Sequence, residues 1–209
     1  MAITYPLNTP TNIGIANITL SAENAVALSQ SPFTFQQQVV AHPGQRWAAS
    51  VSLPPMKRQD AEYWIAFLLS LKGQVGTFLL GDPNCVAAQG SARTTPGTPR
   101  VNGGSQTGDT LVIDGLPLSA TGYLLPGDYI QIGTASSTQL YKVLTQVNTD
   151  GSGGATLDIW PNLRSSPADN AAIVVANTKG RFRLRENVQQ WQINEISSYG
   201  ITFDCVEAI

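Results

Sequence analysis

Few residues of this 209-residue chain have the types and spacing that catalysis or metal binding needs. The only histidine, His42, precedes a Pro-Gly pair, which favours a loop position, and no motif places a nucleophile beside it. The two cysteines, Cys85 and Cys205, lack the spacing of a metal site and are too few for a disulfide framework. We therefore expect no cofactor, no metal site and no catalytic residue, and predict that the protein is not an enzyme.

The acidic residues and the glycine-rich turns also lack a catalytic pattern. The aspartates of the middle part are scattered and form no acid–base pair by motif: Asp109, Asp114, Asp128, Asp150 and Asp158. The run 103–108 lacks the Lys-Ser/Thr ending of a phosphate loop, and the run 150–153 lacks the alternating acids of a calcium loop. We interpret both runs as surface turns.

One strand-like segment concentrates positive charge on a single face. Because side chains alternate along a strand, its four basic residues point the same way: Lys179, Arg181, Arg183 and Arg185. Three interpretations of these residues are open: a stripe that binds phosphate, a row of ion pairs between subunits with carboxylates such as Glu62 and Asp60, or a solvated strand face. The net charge of −2 argues against specific nucleic-acid binding. We expect at least one arginine to meet a carboxylate of a neighbouring subunit.

Trp160 is the tryptophan that we consider for contact with a ligand or partner. It precedes Pro161 in the middle part of the chain. The other three, Trp47, Trp64 and Trp191, lie on predicted strand or helix faces with apolar companions, so we expect them in the core.

Composition excludes several classes of protein. Hydrophobic residues make up 42% of the chain and charged residues 12%, about half the usual charge of a soluble domain. No apolar run approaches the ~20 residues of a membrane span, and the N-terminal segment lacks the pattern of a secretory signal. We expect no membrane partner and folding in the cytoplasm. Sparse charge is typical of a subunit that neighbours cover.

The first part of the chain, residues 1–83, predicts strands and one helix. Two extended segments, 33–39 and 47–53, flank a turn at Gly44. A helix over residues 57–71 follows, because apolar residues recur there at three- and four-residue steps and Gly73 ends the pattern. This apolar stripe consists of Ala61, Trp64, Ile65, Leu68 and Leu71.

The rest of the chain predicts an insertion. Residues 84–178 contain five short strands separated by glycine-rich turns, which favours an OB-like β-barrel. Residues 179–209 return to clean alternation but hold too few strands to fold alone. We predict a mainly β fold with one α-helix. A discontinuous domain of residues 1–83 and 179–209, a β-sandwich or barrel, carries the inserted barrel of residues 84–178.

This layout resembles the distal tail proteins of long-tailed, non-contractile (siphovirus-type) bacteriophages. The similar segments are Arg46-Trp47 with the strand behind it, MKRQDAEYWIAFLLSLKGQVGTFLLGDP from residue 56, residues 125–164, and GRFRLRENVQQW from residue 180. The resemblance implies a structural virion protein, a homo-hexameric ring that joins the tail tube protein to the hub or fibre protein. It also implies barrels that project outward, assembly in the host bacterial cytoplasm, a final place at the virion tail tip, and no active site.

Two other functions stay open at this point. One is a carbohydrate-binding module that aids host attachment through the inserted barrel. The other is a hydrolase with an unrecognised site. A barrel fold by itself establishes neither function.

Overall fold

The computed structural model describes residues 3–195 and 197–209. Strands dominate this part of the chain, and its one α-helix is α1 (Arg58–Ser70). The predicted fold class, mainly β with one helix and a barrel, is confirmed. In chain order the strands are β1 (Leu7–Asn8), β2 (Asn17–Gln30), β3 (Gln37–Ser52), β4 (Phe78–Leu80), β5 (Arg100–Val101), β6 (Thr110–Asp114), β7 (Tyr129–Ile132), β8 (Gln139–Val143), β9 (Ala155–Trp160), β10 (Ile173–Val174), β11 (Gly180–Leu184), β12 (Trp191–Ile193) and β13 (Tyr199–Glu207).

The first sheet combines strands from both ends of the chain. Its order is β1-β4-β11-β13-β3-β2, and β12 pairs with β13 beside this path. β1 runs parallel to β4, whereas the other neighbouring pairs are antiparallel. Because β11 lies between β4 and β13, the segment that begins at residue 180 completes the sheet that β1 to β4 begin.

The helix α1 packs on the first sheet and closes its core. It begins after Pro54-Pro55 and ends before Gly73, whose φ of +67° favours glycine. The Trp64 and Phe67 rings contact Phe203 and Phe78 of the sheet, with ring centroids 6.2 and 5.5 Å apart. The predicted helix and its apolar stripe are confirmed, because all the stripe residues are buried: Ala61, Trp64, Ile65, Leu68 and Leu71.

The second sheet curls into a nearly closed barrel between β4 and β11. Its order is β10-β7-β8-β9-β6-β5, and all neighbouring strands are antiparallel. A bridge between Arg100 and Ala172 brings the two ends of this order together, and the Val101 N–H donates to the Ala171 carbonyl at 3.0 Å. The barrel has its own core, centred on fully buried residues such as Ile113 and Tyr141.

The predicted turn at Gly44 is wrong. β3 continues through it, and the chain reverses earlier, at residues 31–36, where Phe33 and Phe35 lie. Pro43-Gly44 instead marks a register irregularity, because Asn24 pairs with Gln45 while Val26 pairs with Ala41. Proline has no N–H to donate, so it interrupts the ladder of hydrogen bonds without reversing the chain.

The expected core position of Trp191 is also wrong. Trp191 begins the three-residue strand β12 and is 38% exposed. β12 pairs only with the early part of β13, beside the main path of the sheet, so it lies at an edge with one described neighbour. Within residues 3–195 and 197–209, no helix is long and apolar enough to cross a membrane.

The division into two domains stays a prediction, and a deletion tests it. Gly180 pairs with Leu80, so the ends of the middle segment lie side by side. Replacing residues 84–178 with a short Gly-Ser linker should leave a chain that unfolds cooperatively in urea. It should be less stable than the intact protein, because Tyr129 and Leu140 of the barrel belong to the first core. Circular dichroism and tryptophan fluorescence provide the measurement, and an unfolded linker variant beside a stable full chain would contradict the division.

Candidate functional site

The most exposed element is a hairpin formed by the distal parts of β2 and β3. We call residues 24–45 the arm. Its β2 side, residues 24–30, is about 24 Å long at roughly 3.4 Å per residue. Every residue from 24 to 44 except Ser31 is exposed. The hydrogen bonds of residues 25–44 that the structure describes are internal to the arm, so the arm projects from the body.

The arm is apolar and carries no Asp, Glu, Lys or Arg. Val26 pairs with Ala41 and Leu28 pairs with Val39, so these four side chains form one apolar face. Leu28 is 60% exposed, and Phe33 in the turn is 92% exposed. A contiguous exposed patch of this kind marks an interaction site rather than the surface of a free monomer.

The predicted basic strand is β11, and its apolar side chains, Phe182 and Leu184, are fully buried as expected. Arg181 on the opposite face is held within the chain. Its guanidinium donates two hydrogen bonds to the Ala208 carbonyl, at 3.0 and 2.8 Å, and one to the Ser136 carbonyl of the barrel. Arg181 therefore links the C-terminal residues of the chain to the barrel.

Arg185 pairs at the root of the arm. Its Nη2 donates to Glu23 Oε1 at 2.9 Å, and Arg46 Nε donates to the other carboxylate oxygen at 2.6 Å. The hydrogen bond from Arg46 contributes most to holding the pKa of the Glu23 carboxyl below its ordinary value, and Arg185 adds to it. Two of the four predicted basic side chains are thus engaged inside the subunit.

Lys179 and Arg183 are the two basic-strand residues left for a neighbour. Both are half-buried, and neither side chain makes an ion pair or hydrogen bond with another described residue. Glu62, one of the carboxylates considered as a partner, pairs with Arg58 one helical turn earlier, at 3.1 Å. The contact between subunits stays a prediction, and it now concerns Lys179 and Arg183.

A buried ion pair joins the barrel to the first sheet. Arg164, after β9, places Nη2 2.5 Å from Oε2 of Glu207 on β13, and their side chains are only 10% and 5% exposed. The same carboxylate oxygen accepts the Trp47 backbone N–H at 3.0 Å. Because a buried charge is tolerated only when it is paired, Glu207 ties β3, β13 and the barrel together at one point.

We call the contact between the barrel and the first sheet around Arg164 and Glu207 the joint. Trp47 supplies its apolar part. Its indole N–H donates to the Leu140 carbonyl at 3.0 Å, and its ring centroid lies 5.9 Å from that of Tyr129. Trp160 meets Trp47 edge-on, with the ring centroids 4.4 Å apart, and donates its indole N–H to Asn24 at the start of the arm, at 2.9 Å. Trp160, the residue considered for a ligand or partner, is thus half-buried against its own chain.

The remaining reactive groups do not gather into one site. His42 is exposed on the arm, and Cys85 and Cys205 are free thiols. Burial raises the pKa of Cys205 to about 12, which keeps that thiol protonated and unreactive at neutral pH. In the part of the chain that the structure describes, no three His, Cys, Asp or Glu side chains are grouped to hold a metal ion. That the protein is not an enzyme stays a prediction.

Sequence reasoning missed the arm and Glu207. A signal for the arm was present, because residues 24–45 contain no Asp, Glu, Lys or Arg, whereas Glu23 and Arg46 directly flank them. Nothing in the sequence marks Glu207, because its partner Arg164 lies 43 residues earlier, in the loop that follows β9 of the barrel.

No protein-family model matches the chain. No curated protein matches its sequence closely enough to count as a relative.

Removing only one partner of the buried ion pair should lower the free energy of unfolding more than removing both charges together. Arg164→Met leaves the Glu207 carboxylate buried without its cation, so the free energy of unfolding should fall by about 3–5 kcal/mol. Adding Glu207→Gln removes the stranded charge and keeps an oxygen for the Trp47 N–H, so part of the loss should return. Urea titrations of the wild type, both single variants and the double variant measure the coupling. Additive losses in the double variant would show that the pair does not stabilise the joint.

Proposed function

We propose that this protein is a structural component of a bacteriophage virion, the distal tail adaptor of a siphovirus-type tail tip. It forms a homo-hexameric ring that joins the tail tube protein to the central hub or fibre protein. The observation that carries this proposal is the arm, an exposed and uncharged hairpin that the subunit itself does not cover. The protein acts by assembly rather than by catalysis.

The arm favours assembly because an exposed apolar hairpin is unfavourable in a free subunit. A two-stranded hairpin is marginally stable in water without further packing. β2 is also the last strand of the first sheet, so its outer edge presents unpaired N–H and C=O groups. Its sequence has no lysine or glutamate on that edge in the arm to discourage pairing. Contact with another surface buries the Leu28 and Val39 face and satisfies that edge.

A second copy of the chain is the binding partner that suits the arm best. An asymmetric projection that docks on the body of the next subunit makes a head-to-tail contact, and such contacts close into rings when the rotation permits. Neutral side chains avoid like-charge repulsion where identical subunits meet. Six copies, the tube and the hub follow from the resemblance to distal tail proteins.

The joint supports the same role. The pair of Arg164 and Glu207, with Trp47 packed between the sheets, fixes the barrel against the first sheet. Fixed barrels on a closed ring form a repeated outer surface at the tail tip. Arg183 lies on β11 of the first sheet and Lys179 directly precedes that strand, and both are suited to a carboxylate of the adjacent subunit or of the tube protein.

Charge placed on the apolar face of the arm should block assembly without unfolding the subunit. Leu28→Lys with Val39→Glu puts an attractive pair across the hairpin, so the arm keeps its shape while the face becomes polar. The matched control is Ser29→Lys with Gln38→Glu, the next cross-strand pair on the opposite face. Light scattering after size-exclusion chromatography, alone and with the tube protein, measures the assembly.

We expect the wild type and the control to form the same closed oligomer and the Leu28/Val39 variant to stay monomeric with an unchanged melting temperature. A wild-type chain that stays monomeric at all concentrations and with the tube protein would contradict the ring. Equal assembly of the two variants would contradict the role of the arm.

A further inference from the structure

A second free strand edge lies on the first sheet, away from the joint. β12 pairs with the early part of β13 on one side, and none of the strands that the structure describes lies on its other side. We call this outer side the β12 edge. Residues 187–194 contain no Asp, Glu, Lys or Arg, and both Trp191 and Ile193 are exposed there. The β12 edge is thus uncharged and carries exposed apolar side chains, as the arm does.

The hydrogen bonds of β13 show which backbone groups of β12 are free. Tyr199 and Met56 exchange two backbone hydrogen bonds, at 2.8 and 3.1 Å, so these groups of Tyr199 point away from β12. Because successive residues of a strand direct their N–H and C=O groups to opposite sides, Gly200 bonds to its partner on β12, Gln192. The two other residues of β12 therefore direct their backbone groups outward, where no described group pairs with them.

The outer edge of β2 in the arm follows the same pattern. The Ser31 N–H donates to the Gln36 carbonyl at 2.9 Å, which makes these two residues a hydrogen-bonded pair of the hairpin. Every second residue back along β2 makes such a pair with β3, and the residues between them do not. Val26 and Leu28 belong to the second group, so their N–H and C=O groups point to the outer side of β2.

The apolar side chains of the two edges lie on the same side of the first sheet. Trp191 is opposite Ile201, which is buried in the first core. On β2, Leu20 packs on that core, and alternation leads from it to Leu28. The irregularity near Gly44 preserves this order on β2, because the extra residues belong to β3. A sheet that continued from one copy into the next would place Leu28 and Trp191 on one face.

We propose that the β12 edge of one copy receives β2 from the arm of the adjacent copy as an added strand. This inference rests on the proposed ring and names the place where the arm docks. Within one subunit β3 and β13 lie between β2 and β12, so a chain cannot pair its own two edges.

The topology also gives the direction and register of this contact. Neighbouring strands from β2 through β3 and β13 to β12 are antiparallel, so a continued sheet makes the new pair antiparallel as well. Apolar side chains face each other when Val26 lies opposite Ile193 and Leu28 lies opposite Trp191. Such cross-strand pairs stabilise a sheet. The contact satisfies the free backbone groups of both edges and covers the apolar face of the arm.

The other strand edges of the molecule suit the arm less well. β1, the end strand beyond β4, has only two residues, and its Leu7 packs on the first core. The end strands of the barrel are brought together by the bridge between Arg100 and Ala172. A charged peptide would find no opposite charge within residues 187–194. An uncharged strand with apolar side chains fits the β12 edge, and the arm supplies one.

Cysteine crosslinking of the full chain tests the pairing. In the proposed register Ala27 and Gln192 form a non-hydrogen-bonded pair, whose Cα atoms lie about 4.5 Å apart, within reach of a disulfide. Ala27→Cys and Gln192→Cys are placed in separate chains that also carry Cys85→Ser, and the two chains are mixed and oxidised. We expect a covalent dimer. The matched control replaces Ala27→Cys with Val40→Cys, its partner on the other strand of the arm, and should give no dimer.

A backbone variant tests the same contact without a crosslink. Ile193→Pro removes one outward N–H and leaves the bonds to β13 in place. It should raise the concentration needed for assembly at least about tenfold, whereas Ile193→Thr keeps the N–H and should lose less. Light scattering measures assembly with and without tube protein, and the melting temperature checks the fold. If Ile193→Pro unfolds, the crosslink decides.

The outcomes separate this docking place from the ring itself. Wild-type oligomers without the crosslink between Ala27→Cys and Gln192→Cys would overturn the docking place and leave the ring standing. An equal yield with Val40→Cys, or wild-type assembly of a folded Ile193→Pro variant, would do the same. A wild-type chain that stays monomeric, alone and with tube protein, would overturn both proposals.

Discussion

The arrangement of this protein depends on one buried carboxylate. Glu207 accepts a hydrogen bond from the backbone of Trp47 and an ion pair from Arg164, and it has almost no contact with water. Taking a carboxylate out of water costs several kcal/mol, so the folded state must supply both partners together. That requirement places the barrel at one position on the first sheet. The Trp47 indole, with its N–H bonded to the Leu140 carbonyl, packs beside the same point.

A fixed joint gives the exposed elements fixed directions. The arm begins at Asn24, which accepts the indole N–H of Trp160, and at Gln45, which accepts the backbone N–H of Asn162. The barrel thus braces the root of the arm on one side, while Glu23 with its two arginines braces it on the other. In the proposed ring, an arm that meets the next subunit at a set angle would need such a rigid base.

The sequence predicted the parts of the fold that local patterns determine. The helix and its stripe from Ala61 to Leu71 followed from a 3.6-residue period, and the barrel strands followed from short alternating runs between glycines. The arm was missed because Pro43-Gly44 carries the local signal of a turn, while the pairing of β2 with β3 continues past it. The joint was missed because Glu207, Arg164 and Trp47 are distant in sequence and meet only after both sheets form.

The basic strand β11 also shows what a sequence pattern can and cannot predict. The period of two correctly predicted which side chains of β11 are buried, but it did not identify the partners of the charged ones. Arg181 and Arg185 find theirs within the subunit, since Ala208 and Glu23 are brought close by β13 and β2. Alternation specifies a face, whereas the partner on that face depends on which strands the topology makes neighbours.

Single-particle electron microscopy of the full chain, mixed with the tail tube protein that we propose as its partner, is the most direct test of the central claim. The account predicts a sixfold ring at the end of the tube, in which each arm is covered by the body of the adjacent subunit and each barrel keeps the position that Glu207 fixes. Rings whose contacts leave all the arms in solvent, or particles in which this chain is a single unpaired copy, would contradict it.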